Sequence, residues 1–171
     1  METLNALQSR RNVRIYQDRP IPKQDLETIL EAGRRSPSSR NEQRWDFIVC
    51  TDRNQLSRLS EVWRGASFVA TSAATIALII PAAEEARVRE SIHYDLGQVT
   101  MAMMLAAVDL WVGSGHTAVA DQMLARDVLG HPENMVCAWL VALGYPADRP
   151  LAPIKTPNRR DFEQVVHWDS W

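Results

Sequence analysis

Residues 83 to 109 carry the pattern that most restricts the fold. A helical run begins charged, with Glu84, Glu85, Arg87, Arg89 and Glu90, and turns almost wholly apolar from Val99 to Val108 before ending at Asp109. Such a helix has one end in water and one end that other elements must surround. Its apolar part is half the length of about 20 residues that a bilayer span requires, so the run predicts a buried axis, not a membrane anchor. The segments around it supply the cover. Thr75 to Ile80 is β-branched and apolar on both faces, the signature of a central strand, closed by Pro81. Val136 to Leu143 reads as a second buried strand, closed by Gly144, Tyr145 and Pro146. Trp45, Phe47 and Val49 alternate with Asp46, Ile48 and Cys50, as in a strand with at least one buried face.

Helices are predicted over Glu2 to Arg10, over the Leu26, Ile29, Leu30, Gly33 face that starts near Pro22, over Leu56, Leu59 and Trp63, and from Asp121 to Leu129 with Gly130 as its cap. Strands and helices interleave without a regular βαβ repeat, which predicts α+β architecture. At 171 residues the chain is expected to form one domain, 1–171. Nineteen basic and twenty-one acidic residues leave a net charge of −2, which removes the positive field that gathers nucleic acid or anionic lipid. Cys50 and Cys137 form no CxxC pair, and His93, His116, His131 and His167 have no common metal spacing, so neither metal nor disulfide framework is expected. The N-terminus lacks a secretory apolar core, and a reducing cytoplasm fits the cysteine usage. GxSxG, HExxH and Walker A patterns are missing. GSGHTA at 113 to 118 matches GxGxxG/A on paper, yet it follows a helix and reads as a break in the chain, so it is no dinucleotide fingerprint; His116 stands out for its glycine neighbours.

Three polar clusters remain: Arg10, Arg11, Asn12 and Arg14; Ser38, Ser39, Asn41 and Gln43 in the loop that starts at Pro37; and Arg159 with Arg160. Together they suggest an anion joined to a flat polar ligand, because guanidinium groups recognise phosphate and carboxylate through two parallel donors. Between the first and last of these clusters, residues 147 to 157 hold Pro150, Pro153 and Pro157 and must run as an extended arm. The tail beyond carries Phe162, Val165, Val166, Trp168 and Trp171, apolar groups that need a cover such as a partner subunit.

The order of the motifs resembles a compact member of the FMN-dependent nitroreductase family. SRRNVRIY at 9 to 16 is similar to that family's opening SRRSVRxF, and PSSRNEQRW at 37 to 45 to its PSSxNxQPW. DLGQVTMAMMLAA at 95 to 107 is similar to its core helix, WVGSG at 111 to 115 to its GLGS turn, and LGYP with NRRDFEQVVHW to its closing segment. Asn12 stands where the family has Ser, Arg44 where it has Pro, and residues 63 to 71 match none of these motifs.

The resemblance implies a nitroreductase-like fold with a central mixed sheet flanked by helices, and a homodimer whose C-terminal arms are exchanged. It implies FMN at the subunit interface, NADH or NADPH as hydride donor, and nitroaromatic or quinone-type acceptors. Flavin reduction, ring dehydrogenation or non-catalytic flavin binding on the same fold are the alternatives. Arg10, Asn12 and Arg159 would hold the phosphate with help from Arg11 and Arg160, and Arg14 would lie at the N1–O2 edge of the flavin. Pro37, Ser38, Ser39, Asn41 and Gln43 of the other subunit would meet the ribityl chain and ring. Gly113, Ser114 and Gly115 would pass close to the ring, glycine permitting the approach. No side chain is expected to act as the catalytic group, since the flavin carries the chemistry.

Overall fold

The structure is a computed structural model and describes residues 2–171. The elements run α1 (Thr3–Ser9), α2 (Lys23–Arg34), β1 (Asp46–Cys50), α3 (Arg53–Leu59), β2 (Ala74–Pro81), α4 (Ala86–Asp109), β3 (Gly113–Ala118), α5 (Gln122–Leu129) and β4 (Met135–Gly144), with short 3-10 turns at Ser39–Asn41, Ser67–Thr71 and Phe162–Gln164. The strands form one sheet in the order β1-β2-β4-β3.

Period-two alternation in β2 divides the core into two layers. Ile76, Leu78 and Ile80 point to the side where Leu26 and Ile29 of α2 and Ile92, Leu96, Val99 and Met103 of α4 pack. Ala77 and Ile79 point to the other, against Leu56 and Leu59 of α3, Ala125 of α5, Phe68 and Val13. Local signals set the helix ends. Asp52 and Asp121 cap α3 and α5 by accepting from the Gln55 and Leu124 amides, and Gly130 ends α5 at φ 69°, in the left-handed region.

Two sequence expectations change here. The implied mixed sheet is antiparallel at every strand junction, and the parallel pairing among the described residues is an isolated bridge between Asn12 and Ser114. A parallel edge would need a further strand, and the C-terminal arm makes none within this chain. The Gly113–Gly115 segment is not a turn but the start of β3, paired with Gly144, Leu143 and Ala142 of β4. Its glycines permit the strand instead of breaking it, because neighbouring segments occupy the space their side chains would fill.

From Ala147 the chain is extended, and Ile154 donates to the Gln8 carbonyl at 3.0 Å, which ties the arm to α1. Beyond it Trp168 and Trp171 are 79% and 101% exposed. No helix among the described residues is long and apolar enough to cross a membrane.

Candidate functional site

The segment after α1 builds the site. Residues 10 to 14 are extended, so alternate side chains go to opposite sides: Arg11 and Val13 are buried, Asn12 and Arg14 exposed. Val13 donates to the Ser114 carbonyl at 2.8 Å, and the Tyr16 hydroxyl lies 2.8 Å from the Val13 carbonyl and 3.2 Å from that of Ala142. Burial raises the Tyr16 pKa, against a smaller opposing effect of Arg14. The segment is thereby fixed to the edge of β3.

Alternation separates the arginines that the sequence grouped. Arg11 points inward and donates to both Asp148 carboxylate oxygens, at 2.9 and 3.3 Å, and to the Arg149 carbonyl. Its hydrogen bond, followed by burial acting in the opposite sense, leaves the Asp148 pKa below the usual carboxylate range. Arg11 is therefore a structural cation pinning the start of the arm, and not the auxiliary phosphate ligand that the resemblance implies. Arg10 is free of such commitment: its hydrogen bond is a long one of 3.5 Å to Asn12 Oδ1. Arg14 lies over the Phe68 ring, 5.5 Å from its centre.

Arg10 lines a cleft of about 390 Å³ with His93, Gly97, Thr100 and Met104 of α4, His116 of β3 and Trp139 of β4. His116 meets Trp139 edge-on, with ring centres 5.9 Å apart. Burial, then the nearby Arg10 and Arg14, hold its pKa below the usual histidine value. His116 Nδ1 and Ser114 Oγ are both buried without a hydrogen-bond partner.

The glycines of β3 serve another purpose than expected. A Cβ on Gly115 would lie 2.4 Å from the Val13 carbonyl oxygen and 3.1 Å from Phe68, and one on Gly113 would lie 2.7 Å from Val13 Cγ2. The space beside them is filled by the chain's own 12–16 segment, so the room glycine makes is used for packing and not for the close passage of a ligand on that side.

The second cluster lies elsewhere. The Ser39 amide donates to both oxygens of Asp95, at 3.2 and 3.0 Å, which docks the loop on α4. Ser38 Oγ accepts from the Gln43 amide, Gln43 Nε2 donates to the Asn41 carbonyl, and Arg40, Asn41 and Gln43 all have left-handed φ. Pro37, Ser39 and Asn41 are exposed. At about 100° per residue, His93, Gly97, Thr100 and Met104 fall within roughly 60° of one another on α4, and Asp95 lies on the opposite flank. The helix itself, about 10 Å across, stands between the two clusters. The third cluster is on the arm: Arg159 and Arg160 lie exposed, and the Arg159 guanidinium donates to the Asn158 carbonyl.

Four positioning residues escaped the sequence reading: Asp95, Asp148, Phe68 and Trp139. Asp95 had a signal, a carboxylate at the start of the apolar half of α4 that proves to be buried. Asp148 had none before Arg11 was known to face inward.

A four-stranded antiparallel sheet, one long helix across a face and an arginine-bearing extended segment bridged to the edge define the class: this is the nitroreductase-like α+β fold. The solved NADPH:FMN oxidoreductase of Vibrio harveyi, complexed with NAD+, superposes at a TM-score of 0.86 with 21% identity, over 99% of this chain and 77% of that one. The chain belongs to the nitroreductase family. It is 36% identical over 151 residues to the Archaeoglobus fulgidus protein named "Putative NADH dehydrogenase/NAD(P)H nitroreductase", covering 86% of this chain and 87% of that one. The model of the Nitroreductase family matches residues 7–75. The FMN reductase [NAD(P)H] of Bacillus subtilis is 25% identical over 191 residues, covering 99% of this chain and 74% of that one.

Proposed function

We propose that this chain is an NAD(P)H-dependent FMN oxidoreductase, active as a homodimer, that delivers electrons to nitroaromatic or quinone-type acceptors. The observation that carries the reading is the division of the polar clusters by α4. Arg10 and Arg14 with β3 lie on one flank, the 37–43 loop lies on the other, and no single copy can bring both to one ligand. A second copy crossing α4 can. Tyr94 and Met101, which turn outward on that helix, are 74% and 39% exposed and offer it an apolar face.

The donor set fits a phosphorylated flavin. Arg10 meets no carboxylate among the described residues, and Ser114 Oγ is a buried polar atom still lacking a partner. Arg10 and Asn12, with Arg159 and Arg160 of the arm, hold the phosphate; Arg11 is committed to Asp148 and takes no part. Arg14, steadied by Phe68, places a fixed positive charge where the reduced ring gathers negative charge. Ser39 and Asn41 of the second copy, with Pro37, Ser38 and Gln43 shaping their loop, supply hydrogen bonds to the ribityl chain. Bound FMN supplies the hydride chemistry, so the chain needs no acid–base pair of its own. Two relatives, the FMN reductase [NAD(P)H] of Bacillus subtilis and the NADPH:FMN oxidoreductase of Vibrio harveyi, support the same reading.

The test is the visible spectrum of the purified protein, followed by anaerobic addition of NADH or NADPH. The expected result is a bound yellow flavin that bleaches and recovers when a nitroaromatic or a quinone is added. A colourless protein that takes up no FMN refutes the proposal. Recovery with free FMN alone would make the protein a flavin reductase.

A further inference from the structure

We infer that Phe68 is a positioning residue for Arg14: its ring holds the guanidinium in place without neutralising it, and so sets how strongly the chain stabilises a reduced flavin. The inference rests on the FMN reading above and gives a role to the 63–71 segment, which matches none of the recognised motifs. Arg14 is exposed and makes no hydrogen bond or ion pair among the described residues; its contact is the Phe68 ring, whose centre lies 5.5 Å from the guanidinium carbon. Without such a contact a long surface side chain spreads its charge over many rotamers. Phe68 itself is fixed. It is 7% exposed, and its Cε2 lies against β3, 3.1 Å from where a Cβ on Gly115 would stand. The 3-10 turn that carries it is closed on both sides: Val69 donates to the Ala66 carbonyl at 2.9 Å, Thr71 Oγ1 to the Phe68 carbonyl at 3.2 Å, and the Arg53 guanidinium to the Ala70 and Ser72 carbonyls.

An aromatic partner does what a carboxylate cannot. A carboxylate would hold Arg14 in place and cancel its charge, whereas a ring face attracts the cation through its quadrupole and leaves the N–H donors open to a ligand. The uncancelled charge is felt on the β3 flank, where, after burial and Arg10, Arg14 is a further cause of the lowered His116 pKa. Near a bound flavin the same charge favours the anionic reduced ring over the neutral oxidised one and raises the reduction potential, by an amount that falls as the guanidinium strays. Removing the Phe68 ring therefore dilutes the effect of Arg14 and leaves the net charge of the chain as it was.

The test is the midpoint potential of bound FMN, read by anaerobic equilibration with a reference dye, in the full-length wild type, Phe68→Leu, Phe68→Tyr, Arg14→Ala and the Arg14→Ala/Phe68→Leu double variant. Phe68→Leu is expected to shift the potential in the negative direction, by less than Arg14→Ala does, and Phe68→Tyr, which keeps the ring face, to stay at the wild-type value. The double variant is expected to match Arg14→Ala, because a platform has no effect once its cation is gone; a merely structural role for Phe68 would give shifts that add. Nitrogen-15 relaxation of the arginine Nε–H groups in the wild type is the second readout, and it stands even where Phe68→Leu fails to fold: Arg14, identified by its loss in Arg14→Ala, is expected to be more ordered than Arg160. Additive shifts, a wild-type potential in Phe68→Leu that retains FMN, or an Arg14 as mobile as Arg160 overturns the inference and leaves the oxidoreductase reading intact. Wild-type protein that takes up no FMN overturns both.

Discussion

Gly115→Ala probes the junction on which the site depends. The added Cβ would stand 2.4 Å from the Val13 carbonyl oxygen, 3.1 Å from Phe68 and 3.3 Å from the Tyr16 hydroxyl. A backbone oxygen cannot swing aside as a flexible side chain can, so the 12–16 segment must lift from β3. Overpacking of this kind costs about 1–3 kcal/mol. Lifting also stretches the Val13 amide bond to Ser114 and the bond from the Tyr16 hydroxyl, each worth about 1 kcal/mol. The total is about 3–5 kcal/mol, which for a chain of this size lowers Tm by roughly 6–20 °C. The reference is Gly97→Ala. Nothing lies within 4 Å of a Cβ there, and removing a glycine from a helix interior gains about 0.5–1 kcal/mol. Thermal unfolding followed by circular dichroism measures both. A Gly115→Ala protein that melts within about 2 °C of wild type would refute the argument that this glycine exists to admit the Val13 backbone.

Three further outcomes follow from other contacts. Asp95→Asn keeps one of the two acceptors that dock Ser39 and should cost about 1 kcal/mol, with faster tryptic cleavage after Arg40 or Arg44; an unchanged cleavage rate sinks the docking role. Burial pushes the Cys50 thiol up to about 11 and, with Cys50 adding to it, the Cys137 thiol up to about 12. At pH 8 both are protonated and enclosed, so a disulfide reagent should label neither until denaturant is added, and stoichiometric labelling of the native protein would contradict this. Arg14→Ala should make the flavin potential more negative at unchanged FMN content, whereas Arg10→Ala should reduce content at unchanged potential; the reverse pattern would exchange their roles.

Periodic segments made most of the scaffold readable in advance. The change from charged to apolar along α4, the two-faced apolar run of β2 and the Asp121 and Gly130 ends of α5 each depend on local chemistry, and each lies within a few residues of its expected place. β3 was not readable, because a Gly-Ser-Gly sequence has the composition of a turn and becomes a strand only when Val13 and Pro146 fill the space beside it. The arginine cluster was readable as a cluster but not in its orientation. Val13 was the available clue: an apolar residue turned inward on an extended segment carries Arg11 inward with it, and a buried guanidinium then requires a carboxylate, which Asp148 provides from 137 positions away.

The placement of α4 between the two polar clusters has a genetic consequence. If each binding site draws Arg10 from one polypeptide and Asn41 from the other, a strain expressing Arg10→Ala and Asn41→Ala copies together assembles mixed pairs in which one site carries both lesions and its twin carries none. Two alleles that fail separately would then restore half the activity of each hybrid molecule. Alleles damaged on the same flank, such as Arg10→Ala with Arg14→Ala, would leave both sites impaired and show no such rescue.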